Sequence, residues 1–105
     1  MSVIAIDYDE TITDNTPYPQ TGNIREEARQ LIPLLYNQGH TLVLWTARKE
    51  PYYSQCLQRL EEEDLLKYFT PIELIDKGVT GKIEADVYID DKSISNICDI
   101  ANIII

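Results

Sequence analysis

The sequence predicts an α/β domain built on a parallel sheet, and three observations carry this prediction. Short apolar runs that suit buried strands alternate along the chain with longer segments of helical periodicity. The length of 105 residues supports one hydrophobic core, so residues 1–105 are expected to form a single domain. Acidic side chains follow two of the apolar runs, at the strand ends where parallel sheets bind ligands. We therefore expect a three-layer, Rossmann-like parallel sheet of about five strands, with helices on both faces.

The first strand and the first helix are predicted from the N-terminal part of the chain. Residues 3–7 form a continuous apolar run that fits a strand buried on both faces. The proline- and threonine-rich residues 10–22 are typical of a loop or a small flap. A helix is predicted to begin at Asn23, an N-cap residue with an acid three positions later, and to stop at Gly39. Pro33 lies inside this helix and predicts a kink or a break.

The second half of the chain supplies the remaining elements. A helix is predicted to begin near Pro51 and to run to about Glu63. The remaining strands are expected at residues 41–45, 72–75, 87–89 and 100–105. Only about ten residues join the third strand to the fourth, which is short for a parallel crossover and predicts a tight loop or a single turn.

Charge, cysteines and hydropathy exclude several classes of protein. The formal charge of −9 argues against an extended nucleic-acid surface, because phosphate neutralisation requires clustered Lys and Arg. Cys56 and Cys98 are too far apart for a zinc or redox motif, so both are expected to be reduced thiols. No charged leader and no apolar run of about 18 residues is present, which predicts a cytoplasmic protein without a membrane segment.

Two pairs of carboxylates stand at predicted strand ends. Asp7 and Asp9 are separated by one residue and would project to the same side of a strand, while Asp90 and Asp91 follow the fourth strand. If the two strands are neighbours, the carboxylates converge at one sheet edge. Two like charges about 4 Å apart repel by roughly 4 kcal/mol at an effective dielectric of 20. The cluster therefore predicts a divalent cation site.

Four short motifs, taken in order, resemble those of the haloacid dehalogenase superfamily of phosphohydrolases. They are Asp7-Tyr8-Asp9-Glu10-Thr11, Leu44-Trp45-Thr46, a lysine, and Tyr88-Ile89-Asp90-Asp91. The resemblance runs from residue 3 to about residue 92 and is closest to small phage and bacterial members without a cap domain. It implies a Mg²⁺-dependent phosphatase that works through an aspartyl-phosphate.

The resemblance also implies roles for the four aspartates. Asp7 would attack phosphorus and bind the metal through its carboxylate. Asp9 would act as the acid and base of the reaction, and its backbone carbonyl would bind the metal. Asp90 would be a further ligand, and Asp91 would bind the ion directly or orient one of its waters. This all-oxygen set suits Mg²⁺.

The phosphate-binding candidates follow the second and third motifs. Thr46 would bind a phosphoryl oxygen, helped by backbone N–H groups from Ala47 onward, although a capping threonine is the alternative. Arg48 would contact the phosphate or the leaving group, unless it is a surface arginine. Lys82 is favoured as the third-motif lysine, with Lys77 as the alternative and a further substrate-binding candidate. Thr11 is also a candidate for substrate binding.

Two departures from the family pattern affect the expected site. Glu10 occupies a position that is commonly glycine, and it lacks the freedom of glycine at positive φ, so the turn there is expected to differ. Residues 10–22 and 76–85 are too short for a cap domain, so the site should be open. An open site suits a large substrate whose phosphate end reaches in, or a second copy of the chain that acts as a lid.

The sequence leaves several alternatives open. The substrate is expected to be a nucleotide, a sugar phosphate or a polynucleotide end. A receiver-type signalling module would use similar acids, and a catalytically weak relative would serve as a binding protein. Tyr8 is predicted to point into the core, Tyr18 to lie in the flap, and His40 to be a turn residue.

Overall fold

The protein has an α/β architecture with a three-stranded parallel sheet and helices. It is a computed structural model that describes residues 2–14, 22–71 and 85–90. The main elements are β1 (Val3–Asp7), α1 (Glu26–Asn37), β2 (Thr41–Trp45), α2 (Tyr52–Glu62) and β3 (Val87–Ile89). A short 3-10 turn at Leu66–Tyr68 follows α2. Among these described segments, no helix has the length and apolarity needed to cross a membrane.

Strand β1 is the centre of the sheet, which has the order β2-β1-β3 with both pairs parallel. Ile4, Ala5 and Ile6 in its middle are fully buried, so both faces of the strand are covered. This confirms the strand that the apolar run predicted, since a two-sided apolar run fits a central parallel strand. The predictions of strands at 41–45 and 87–89 are confirmed as β2 and β3.

The chain changes direction across the sheet next to β1. It passes from β1 through α1 to β2 on one side, and later crosses to the other side of β1 to form β3. In open parallel sheets, ligands bind outside the carboxyl ends of the strands at such a reversal. The fold therefore marks the carboxyl ends of β1 and β3 as the place where a ligand fits.

The described helices pack on one face of the sheet. Alternate strand residues share a face, and one set joins the helices in a single apolar core. From the strands this core takes Ile4, Ile6, Leu42, Leu44 and Ile89. The helices contribute Ala28, Leu31, Ile32, Leu35, Cys56 and Leu60. Tyr53 and Leu57 of α2 also pack against this core.

The N-cap of helix α1 is Arg25, two residues later than the sequence predicted. The prediction of Asn23 as N-cap is wrong, because the chain is still extended there: Ile24 forms an antiparallel bridge with Thr13. The Asn23 side chain donates to the Asp14 carboxylate at 3.3 Å instead of capping the helix. A contact between segments thus overrides a local capping signal.

Helix α1 continues without a break across Pro33. The carbonyl that loses its partner belongs to Arg29, which lies on the exposed side of the helix where water can bond to it. Buried neighbours on the opposite side, such as Leu31 and Leu35, hold the segment in place. Gly39, at φ 91°, follows the end of the helix and confirms the predicted stop.

The outer edge of β2 carries one further contact. Phe69 forms a parallel bridge with Leu42, and the Thr70 N–H donates to the Leu42 carbonyl at 2.8 Å. The predicted strands at 72–75 and 100–105 lie outside the described residues, as does most of the predicted loop 76–85.

Candidate functional site

Asp7 and Asp90 stand side by side at the carboxyl ends of β1 and β3. Ile6 pairs with Ile89, so the residues that follow them lie level with each other. Adjacent strands are about 4.8 Å apart, and both aspartates are half-buried. The Asp7 carboxylate also accepts the N–H of Tyr8 at 2.9 Å. The sheet thus brings together two of the four predicted carboxylates, although they are far apart in sequence.

Asp9 lies beyond the strand rather than in it. The pairing of β1 ends at Asp7, and Tyr8–Ile12 form a wide turn that is closed by the Thr13 N–H to the Tyr8 carbonyl at 3.2 Å. The strand ends at Asp7, as predicted, and the turn rather than strand alternation places Asp9, because this closure ends the ladder. Tyr8 is fully buried in the core, which confirms its prediction.

Glu10 adopts the left-handed conformation that glycine usually supplies. Its φ is 64° and its ψ is 3°, and the Arg25 guanidinium holds its carbonyl oxygen at 3.0 Å. The sequence predicted that glutamate would alter this turn, yet the backbone still reaches positive φ. A non-glycine residue in this region costs roughly 1–2 kcal/mol. The turn is thus held at the expense of local strain.

Glu10→Gly is therefore expected to raise the free energy of unfolding by up to about 1 kcal/mol, since strain relief exceeds the entropy cost of glycine. A urea titration measures this change. Asp64→Gly is the matched control. Asp64 also has a positive φ, of 60°, but it follows α2, away from Asp7 and Asp90. Both variants should gain stability, and only Glu10→Gly should alter any activity of the site. A less stable Glu10→Gly protein would contradict the strain argument.

A buried arginine holds Asp9. Arg48 donates from Nε to Asp9 Oδ2 at 2.8 Å and from Nη2 to Oδ1 at 2.6 Å. Its side chain is 2% exposed, whereas that of Asp9 is 40% exposed. The guanidinium carbon also lies 5.7 Å from the centre of the Tyr8 ring. The hydrogen bond that Arg48 donates to Asp9 raises the pKa of Arg48, so this buried cation stays charged.

This geometry corrects one of the two predictions for Arg48. The alternative of a surface arginine is wrong, because the side chain is enclosed. Two guanidinium nitrogens face Asp9, and direct contact of Arg48 with a substrate phosphate stays a prediction. The fork uses two of the roughly four acceptor sites of the carboxylate. It therefore orients Asp9 and leaves lone pairs that can accept a proton. Sequence reasoning identified both residues but not their contact across 39 positions.

Thr46 follows β2 on the other side of β1. Its Oγ1 accepts the Arg48 N–H at 3.1 Å, which is the turn-capping contact named as the alternative for this residue. The hydroxyl hydrogen can still be donated to an oxyanion. The helix α2 begins only at Tyr52, so no helix N-terminus directly follows Thr46. Ala47 is exposed between them.

Thr11 faces the core rather than the candidate site. It is fully buried, and its Oγ1 makes no hydrogen bond to the part of the chain that the structure describes. The turn directs Thr11 inward together with Tyr8 and Ile12. The structure therefore gives no support to the prediction that Thr11 contacts substrate.

The oxygens at this edge suit a magnesium ion. Asp7 and Asp90 provide two adjacent carboxylates, and the Asp9 carbonyl follows two residues after the first of them. Mg²⁺ prefers oxygen ligands, keeps several waters and is commonly held by one or two carboxylates. Within residues 2–14, 22–71 and 85–90, no three His, Cys, Asp or Glu side chains gather as a metal-binding group. Two carboxylates and one carbonyl fit an ion that retains part of its water shell.

Several predicted residues lie outside the described residues. They are Tyr18, Lys77, Lys82, Asp91 and Cys98. His40 is described and precedes β2, at the opposite edge of the sheet from Asp7. It is buried, and its Nδ1 accepts the Ser2 N–H at 3.1 Å. It therefore takes no part in the candidate site.

Two other features near α2 do not belong to phosphate chemistry. Burial raises the pKa of the Cys56 thiol to about 11, so the side chain is a neutral core group rather than a nucleophile. A cavity of about 220 Å³ lies between β2 and α2, lined mainly by apolar groups such as Leu44, Tyr53 and Leu57. Its lining offers little to bind an anion.

Comparisons with known proteins give a fold likeness and no activity. No protein-family model matches the chain, and no curated protein matches it. A solved structure of a conserved protein from Bacteroides thetaiotaomicron is similar, with a TM-score of 0.77 and 26% sequence identity. The match covers 98% of this chain and 88% of the Bacteroides chain. This chain thus shares its α/β architecture with that protein over nearly its whole length.

Proposed function

We propose that the protein is a Mg²⁺-dependent phosphohydrolase of the haloacid dehalogenase type, which acts on a phosphomonoester through an aspartyl-phosphate on Asp7. The observation that carries the proposal is the meeting of Asp7 and Asp90 at adjacent strand ends, where the sheet topology reverses. Asp9, held by Arg48, stands two residues after the nucleophile. These groups match the needs of phosphoryl transfer, which are a nucleophile, a proton donor and charge compensation.

The proposed reaction has two steps, which are phosphoryl transfer to Asp7 and hydrolysis of the aspartyl-phosphate. A carboxylate oxygen of Asp7 bonds to phosphorus while the bond to the leaving oxygen breaks, and that oxygen keeps the electron pair and takes a proton from Asp9. Water then gives a proton to Asp9 and bonds to phosphorus. The Asp7–phosphorus linkage breaks, and inorganic phosphate leaves. Thr46 would donate its hydroxyl hydrogen to a phosphoryl oxygen.

A magnesium ion bound by Asp7, Asp90 and the Asp9 carbonyl would offset the negative charge of the phosphate and of the carboxylates. Asp91 would bind the ion directly or orient one of its waters. Lys82, or Lys77 in its place, would hold the phosphoryl group. Charge compensation is needed here, because the chain carries a formal charge of −9.

We further propose that the complete sheet has about five strands with helices on both faces and no cap domain. The parallel bridge from Phe69 to Leu42 supports a strand beyond β2. Full burial of Val43, on the sheet face opposite the described helices, supports a second layer that covers part of that face. An open site follows, which a second copy of the chain would be able to cover. The substrate is then a small phosphorylated molecule or the phosphate end of a larger one.

The test is phosphate release from a panel of nucleotides, sugar phosphates and 4-nitrophenyl phosphate, with Mg²⁺ or with excess chelator. We expect turnover of at least one compound with Mg²⁺, loss of turnover on chelation, and recovery when the ion is restored. Turnover that is unchanged by chelation would contradict the metal assignment. Metal binding without turnover of any compound would favour the binding-protein alternative.

A further inference from the structure

Two large aromatic side chains are exposed on the sheet. Trp45 is 41% exposed and Tyr88 is 46% exposed. Their ring centres are 5.1 Å apart, and the ring planes meet at 64°, which is an edge-to-face contact. The two residues come from β2 and β3, the outer strands of the described sheet.

The strand register places this pair beside the proposed nucleophile. Trp45 is the partner of Asp7, and Tyr88 is the partner of Ala5. Paired and alternate residues share a face, so all four side chains lie on the face opposite the described helices. The outer strands are about 10 Å apart, twice the spacing of adjacent strands. Rings in contact across that distance must meet over β1, where the small Ala5 leaves room.

The chemistry of the pair suits a planar neutral group. An edge-to-face pair leaves ring surface open to solvent, and stacking of a base on an aromatic side chain contributes about 1–3 kcal/mol. The acidic balance of the chain weakens its attraction for a phosphate anion. Binding energy from a neutral part of the substrate would compensate, and that part would lie next to Asp7.

We infer that Trp45 and Tyr88 form a subsite for the nucleobase of a nucleoside monophosphate, whose phosphate lies at Asp7. The inference rests on the proposed function for the phosphate position and adds the class of substrate. A second aromatic pair, Tyr36 with Tyr68, has ring centres 5.2 Å apart and lies where α1 ends, away from the carboxylates. It therefore provides a matched control.

The test uses Trp45 as its own reporter, because it is the one tryptophan in the sequence. Adenosine monophosphate is expected to quench its fluorescence saturably, after correction for absorption by the base, whereas ribose 5-phosphate is not. In steady-state assays, Trp45→Leu and Tyr88→Leu should each raise KM for adenosine monophosphate at least about fivefold. The kcat/KM for ribose 5-phosphate should change by less than about twofold. Tyr36→Leu should leave the kinetic constants for both substrates unchanged.

The outcomes separate the subsite from the phosphatase. Absence of quenching, or equal effects of Trp45→Leu on both substrates, overturns the nucleobase subsite and leaves the phosphatase standing. Saturable quenching without turnover of any phosphomonoester overturns the phosphatase and retains a nucleotide-binding surface. Quenching that depends on protein concentration rather than on nucleotide shows that a second copy of the chain covers the rings, which also overturns the subsite.

Discussion

Asp7→Asn is expected to lower phosphatase turnover by more than about 10⁴-fold, the scale of loss when a covalent nucleophile is removed. The amide cannot form the acyl phosphate, although it nearly preserves the size of the carboxylate. The variant should still fold, because it removes a negative charge next to Asp90. Phosphate release and the midpoint of thermal unfolding, measured on the same preparation, provide the comparison.

Asp64→Asn is the matched control for this substitution. Asp64 is exposed beyond α2, and asparagine is well tolerated at its φ of 60°. Its turnover should equal that of the unsubstituted protein. Full activity of Asp7→Asn would remove Asp7 as nucleophile. A phosphorylated form of the unsubstituted protein that lasts minutes to hours would instead favour a receiver-type signalling module.

Arg48→Met is expected to lower kcat/KM about 10²-fold for alkyl phosphates and less than about tenfold for 4-nitrophenyl phosphate. An alkoxide is a strong base and needs the proton of Asp9 to depart, whereas nitrophenolate departs without one. Loss of the two-bond fork misplaces Asp9. The kcat/KM therefore falls further for the substrate that depends on proton transfer. Arg48→Lys keeps the charge but not the fork. Its kcat/KM for alkyl phosphates should lie between that of the unsubstituted protein and that of Arg48→Met.

Stability does not account for this selectivity. Breaking a fully buried ion pair costs about 3–5 kcal/mol, but the Asp9 side chain is 40% exposed and water can solvate it in the variant. Arg25→Met is the control, because Arg25 holds the same turn through the Glu10 carbonyl and does not contact Asp9 in a described hydrogen bond. It should affect both substrates equally. An equal loss for both in Arg48→Met would show that Arg48 is only structural.

The strands could be predicted from local sequence, but the start of α1 could not. A five-residue apolar run needs burial on both faces, and a parallel sheet provides it, so β1 and β2 have their predicted bounds. The capping signal at Asn23 competes with a distant contact, since Thr13 bridges Ile24 and keeps the chain extended. Similarly, Glu10 reaches positive φ against its own preference because Arg25 holds its carbonyl.

Some features of the candidate site could likewise be predicted from local sequence, and others could not. The carboxylates that follow strands could be predicted from the sequence alone, because apolar runs and the acids that follow them are adjacent along the chain. Three contacts depend on the tertiary fold: Asp90 lies level with Asp7, Arg48 holds Asp9, and Trp45 contacts Tyr88. These contacts join residues far apart in sequence, and strand order and register, which local propensity does not encode, bring them together.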